Sequence, residues 1–122
     1  MRRNTCFGIK KIAEELTNKT KGMLIGKIKQ TVSSGSNFQL DFYVKAPALN
    51  NSILVFDVFH DLGLYPLTIV NPLEQVYYGT ELRSREYEVE KSDNFENALK
   101  QIFLSHANKR VVNGLLAQIK SA

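Results

Sequence analysis

The chain predicts an α+β fold, an antiparallel β-meander of four to six strands with one N-terminal and two C-terminal helices packed on the sheet. Three observations carry this. Apolar residues recur at helical spacing near both ends of the chain and at strand spacing between them. The links between the strand-like runs are too short for the crossover of a dozen or more residues that parallel pairing needs. Residues 1–122 also suit a single α+β domain, large enough to close a core without a disulfide or a metal.

Asn4 or Thr5 can cap the first helix, because a short side-chain oxygen accepts an unpaired amide hydrogen of the first turn. Ile9, Ile12, Ala13 and Leu16 then form one apolar stripe opposite Lys10, Lys11, Glu14 and Glu15, and Gly22 closes the segment. Residues 23–32 predict a first strand, with Leu24, Ile28 and Val32 on one side and Lys27, Lys29 and Thr31 on the other. Ser33, Ser34, Gly35 and Ser36 supply its turn.

Residues 37–61 are the spine of the sheet. Its first half sets Phe38, Leu40, Phe42, Val44 and Ala46 against Gln39, Asp41, Tyr43 and Lys45, the period of a half-buried strand. The second half, residues 53–59, is apolar except at Asp57, which predicts an interior strand covered on both faces. Pro47, Asn50 and Asn51 break the pairing between them.

Beyond the spine, residues 61–64 predict a turn and residues 65–70 a strand whose start is an edge or a bulge, since Pro66 has no amide hydrogen to give. Asn71 and Pro72 predict another turn, residues 76–78 a short strand, and residues 85–90 a last one on which Tyr87 and Val89 share a side. Asp93 with Glu96 predicts a capping box for the second helix, whose buried stripe is Phe95, Ala98, Leu99, Ile102 and Phe103. Asn108 predicts the cap of a last helix carrying Val111, Val112, Leu115, Leu116 and Ile119, inside which Gly114 costs about 1 kcal/mol relative to alanine.

Forty-three per cent apolar and 23% charged residues exclude intrinsic disorder for the body of the chain. Asp57, His60 and Asp61 interrupt the richest apolar window, so no segment approaches the roughly 20 residues of a membrane-crossing helix. Cys6 has no second cysteine to pair with, and no signal-like apolar run follows Arg2 and Arg3, so a cytoplasmic protein with no membrane partner is expected. The net charge of +4 is unevenly spread: residues 1–36 hold eight basic side chains against two acidic, residues 37–91 four against eight. A basic start and an acidic middle suit either an anionic partner or two copies that complement each other.

Catalytic signatures are weak. Asp57, His60 and Asp61 form the one cluster that resembles a metal or acid/base site, but on a regular strand Asp57 and His60 face opposite sides, and His106 is far along the chain. Cys6 near a helix start reads more readily as a small apolar residue than as a nucleophile. Gly22 and Gly26 lack the Lys-Ser/Thr pair of a phosphate loop, and no cofactor is expected.

Two surfaces remain. Tyr43, Tyr65, Tyr77 and Tyr78 lie in the strand region, and tyrosine suits a partner surface by offering a large contact area with one polar end. Arg2, Arg3, Lys10, Lys11, Lys27 and Lys29 could instead bind an anion such as a nucleic-acid backbone. The expectation is a small non-catalytic binding protein acting by protein–protein recognition, of inhibitor, immunity or adaptor type, with a protein partner or a homodimer. A nucleic-acid binder using the basic N-terminal third is the first alternative, and a metal-dependent hydrolase around Asp57, His60 and Asp61 the second.

Overall fold

Five antiparallel strands pair in the order in which they occur: β1 (Ile25–Ser34), β2 (Asn37–Ala46), β3 (Asn51–His60), β4 (Leu67–Tyr78) and β5 (Glu81–Val89). Helix α1 (Asn4–Lys19) precedes them, and α2 (Ser92–Leu104) and α3 (His106–Ser121) follow, so the meander with helices at both ends is as the sequence predicts. This computed structural model describes residues 4–34, 37–61 and 65–121, and side chains within 9–31, 38–61, 65–91 and 94–121. The predicted turns over Gly35 and Ser36 and over residues 62–64 fall outside the described residues, as do the side chains of Cys6 and Asp93.

All three helices lie on one face of the sheet, here the inner face. Ala13 of α1 sits against Gly26 and Phe42. Phe103 of α2 meets Phe42 and Phe56 edge-on, with ring centroids 5.9 and 6.1 Å away, while Phe42 and Phe56 stack at 5.0 Å. Asn108 of α3 accepts a 2.8 Å hydrogen bond from the Asn71 amide of β4. Leu40, Val44, Val58, Leu67, Ile69 and Val89 from the strands close the core with Ile9, Leu99, Ile102 and Leu115 from the helices.

Helix α1 ends as its residues dictate. The Gly22 amide donates to the Thr17 carbonyl at 2.8 Å and the Lys21 amide to Asn18 at 3.2 Å, with Lys21 (φ 53°) and Gly22 (φ 82°) both left-handed. That pairing satisfies carbonyls the last turn would leave open, and glycine takes the positive φ without strain. The buried Thr20 hydroxyl then accepts from the Leu24 amide at 3.1 Å, tying the helix end to the sheet.

Three expectations are corrected, and the spine holds an irregularity that no local pattern marks. Phe42 faces Phe56 but Tyr43 faces Leu54, so Val55 is an extra, bulged residue. The bulge turns Ile53 to the core and Leu54 to the opposite face, because one added residue reverses every later side chain. Asn71 and Pro72 do not end a strand. They begin a bulge within β4, whose register with β5 jumps from Asn71 opposite Arg85 to Gln75 opposite Ser84. The predicted strands at 65–70 and 76–78 are therefore one, paired with β5 on both sides of the bulge.

The last two corrections concern helix starts. Asp93 lies inside α2, whose N-cap is Lys91. Asn108 lies inside α3, and Ser105 caps it, its hydroxyl accepting from the Asn108 amide at 3.3 Å and donating to the Asn108 side-chain oxygen at 2.7 Å. Asn108 is buried and serves instead as a polar tether, while the Asn71 side-chain oxygen accepts from the Leu73 amide at 3.2 Å and holds the bulge.

Candidate functional site

Because the helices share the inner face, no helix among the described residues lies on the outer face. Its residues follow from the pairing register. One row crosses all five strands as Lys29, Asp41, Asp57, Val70 and Glu86, and the next as Thr31, Gln39, Phe59, Thr68 and Glu88. On the other side of the first row, Lys27 faces Tyr43 and Tyr43 faces Leu54. Tyr43, Leu54 and Val70 are half-buried and Phe59 keeps 37% of its surface exposed; none of the four packs on the core. Coverage of both faces by other elements, expected for β3, is therefore not found among the described residues: no described helix lies over its outer face.

The middle of this face holds two carboxyl groups directly opposite each other, Asp41 on β2 and Asp57 on β3. Asp41 is 9% exposed and accepts a 2.8 Å hydrogen bond from the Gln39 amide. Asp57 Oδ1 is buried with no partner among the described residues. Burial pushes the Asp57 carboxyl up to about 7, and the facing Asp41 carboxyl and its charge push the same way.

In comparisons with known proteins, no family model, no curated protein and no solved structure matches the chain.

The predicted tyrosines do not gather on one surface. Tyr43 belongs to the outer face. Tyr65 packs on the core with its hydroxyl buried and unpartnered among the described residues. Tyr77, 71% exposed, sits opposite Leu82 on the part of the β4–β5 hairpin that extends beyond β3. Tyr78 is folded along β5, with the Arg83 guanidinium 4.4 Å from its ring centre and its hydroxyl accepting from the Glu86 amide at 2.9 Å.

The basic residues are divided as well. Arg2 and Arg3 lie outside the described residues. Lys10 and Lys11 are exposed on α1, which covers the inner face, while Lys27 and Lys29 project from the outer one. They sit on two sides of β1 rather than in one patch. The acid–histidine cluster is likewise pulled apart: β3 runs regularly from Asp57 to His60, so their side chains leave opposite faces. His60 stacks on Phe38 with ring centroids 5.3 Å apart, and its Nδ1 bonds the Asp61 carbonyl at 2.8 Å. Among the described residues no group of three or more His, Cys, Asp and Glu side chains could hold a metal ion, and no helix is long and apolar enough to cross a membrane.

Sequence reasoning missed Asp41, Leu54 and Val70 as members of one surface. Asp41 was visible only as a polar residue on the wet side of β2, and its place beside Asp57 depends on a register between strands that no local pattern encodes.

The Asp57 carboxyl predicts a pH dependence with a defined sign. Its folded-state value of about 7 lies above the ordinary 3.8. The folded chain therefore binds a proton that the unfolded chain has lost across the interval from about 4 to 7, and the associated stability is full below that interval and lost as pH rises through 7. Asp57→Asn is expected to remove this loss and to exceed the wild type by about 1–2 kcal/mol above pH 7, once solvent screening of a half-buried carboxyl is allowed for. The wild-type minus variant difference in urea unfolding, followed from pH 4 to pH 9, checks it; a difference that does not change with pH excludes the assigned proton.

Proposed function

We propose that this chain is a non-catalytic protein-binding domain that uses the outer face of its sheet. The observation that supports this reading is the one-sided placement of the helices, which leaves Tyr43, Leu54, Phe59 and Val70 together on a face without a layer over it. A sheet packs its apolar side chains against another layer, and exposed apolar clusters rimmed by charge are where protein partners bind. Lys27, Lys29, Glu86 and Glu88 form such a rim. Charges at a rim contribute orientation and partner choice more than raw affinity.

The test is affinity capture from host extract with the wild-type chain beside a Leu54→Asp, Phe59→Asp variant. The reading expects proteins held by the wild type and lost by the variant, with both chains equally folded by circular dichroism. An identical set of captured proteins would place the binding surface elsewhere and end this reading.

A further inference from the structure

The outer face has a polarity that says more about its partner. Lysines stand at one edge, Lys27 and Lys29 on β1, with Lys45 on β2 beside them. Glutamates stand at the other, Glu86 and Glu88 on β5. Tyr43, Leu54, Phe59 and Val70 lie between them around the facing Asp41 and Asp57 carboxyls, and β3 runs along the middle. A nucleic acid or another partner of one sign would match only half of this face and be repelled by the other half. A surface that is positive at one edge and negative at the opposite edge fits its own image.

Two copies meeting face to face are related by a two-fold axis lying between the sheets, and only two directions of that axis stack the strands in alignment. An axis running across the strands lays β1 on β1 and β5 on β5, setting lysine against lysine and glutamate against glutamate. With the axis along the strands, β1 lies over β5 of the second copy and β3 over β3. Lys29 then stands over Glu86, and Thr31 over Glu88, at both ends of the contact, with Leu54, Phe59 and Tyr43 enclosed between them and Asp57 meeting Asp57 of the second copy at the middle, as either axis through that row requires. We propose that the outer face docks a second copy of this chain in this orientation, β1 over β5. The inference rests on the outer face being the binding surface, and it names the occupant.

Five strands about 4.8 Å apart make a face roughly 20 Å wide, at the small end of specific interfaces. A reversible, concentration-dependent dimer follows. The experiment is sedimentation of the purified full chain from about 1 to about 200 µM at low salt. The expected mass rises toward twice the 13.8 kDa of the chain. A Lys27→Glu, Lys29→Glu variant and a Glu86→Lys, Glu88→Lys variant are each expected to dimerise at least about tenfold more weakly alone. Mixed one to one they should recover the dimer, since each then offers the charge the other needs at both edges.

Leu54→Asp, at the centre of the face, separates this contact from side-by-side pairing of strand edges. It should abolish a face-to-face dimer and spare an edge-to-edge one. A wild-type chain that stays monomeric throughout, charge variants that fail to recover on mixing, or a Leu54→Asp dimer of undiminished strength would each overturn the proposal. A monomeric wild type would still leave the outer face open to a different protein, which the capture experiment decides separately.

Discussion

Replacing Phe42 with alanine is expected to lower stability by about 4 kcal/mol and the melting temperature by roughly 15 °C. Replacing Phe59 with alanine, on the neighbouring strand, should change stability by less than about 1 kcal/mol at concentrations where the chain is monomeric. The two residues are chemically identical and differ only in which face of the sheet they leave. Phe42 is 1% exposed, stacked on Phe56 and met edge-on by Phe103, so its loss opens a void that fixed aromatic neighbours cannot fill. Phe59 keeps 37% of its surface exposed and touches no helix layer. Thermal and urea unfolding of the two variants at low concentration check the contrast. Equal losses would mean that the outer face is as much a part of the core as the inner one, and the case for a vacant binding surface would fail with it.

What could be read in the sequence divides along the same physical line. Strand β2 was legible because Phe38 to Ala46 alternates without interruption, and a strict period of two fixes which side is buried. The stripes of α1 and α2 were legible for the corresponding helical reason, and Ile9, Leu99 and Ile102 are fully buried. Strand β3 could be recognised as central but not assigned a face, because a continuous apolar run has no phase, and the bulge at Val55 leaves no mark in such a run. Asn71 and Pro72 carry turn chemistry, yet the same residues serve a bulge when β5 continues the pairing on its far side. Ser105 and Asn108 are equally good caps by local chemistry. The choice between them is made by Asn71, 37 positions away in the chain, which draws the Asn108 side chain into the interior. In each case the missing information was a long-range partner rather than a local preference.

The same dependence on partners makes Gly26 the second sensitive position. A Cβ added there would lie 2.7 Å from the Ala13 Cβ, 2.8 Å from the Phe42 ring and 2.9 Å from the Ala13 Cα. The last of these is backbone, so the contact can be relieved only by moving α1 away from β1. Gly26→Ala is therefore expected to cost about 2–3 kcal/mol, as overpacking of a closed core does, even though alanine suits a strand better than glycine does. Adding Ala13→Gly should return part of this despite the roughly 1 kcal/mol that glycine costs inside a helix, and the resulting coupling of about 1 kcal/mol or more would identify the pair as the cause. Amide exchange locates the damage: the amides of α1 should lose protection while those of β2 and β3 keep it. A loss below about 1 kcal/mol with no coupling to Ala13 would mean that α1 is not seated on β1 as described. Lys27 follows Gly26 on the same strand and projects from the opposite face. A variant that loosens α1 without altering the sheet should therefore keep its self-association, because the helix and the second copy occupy different sides of β1.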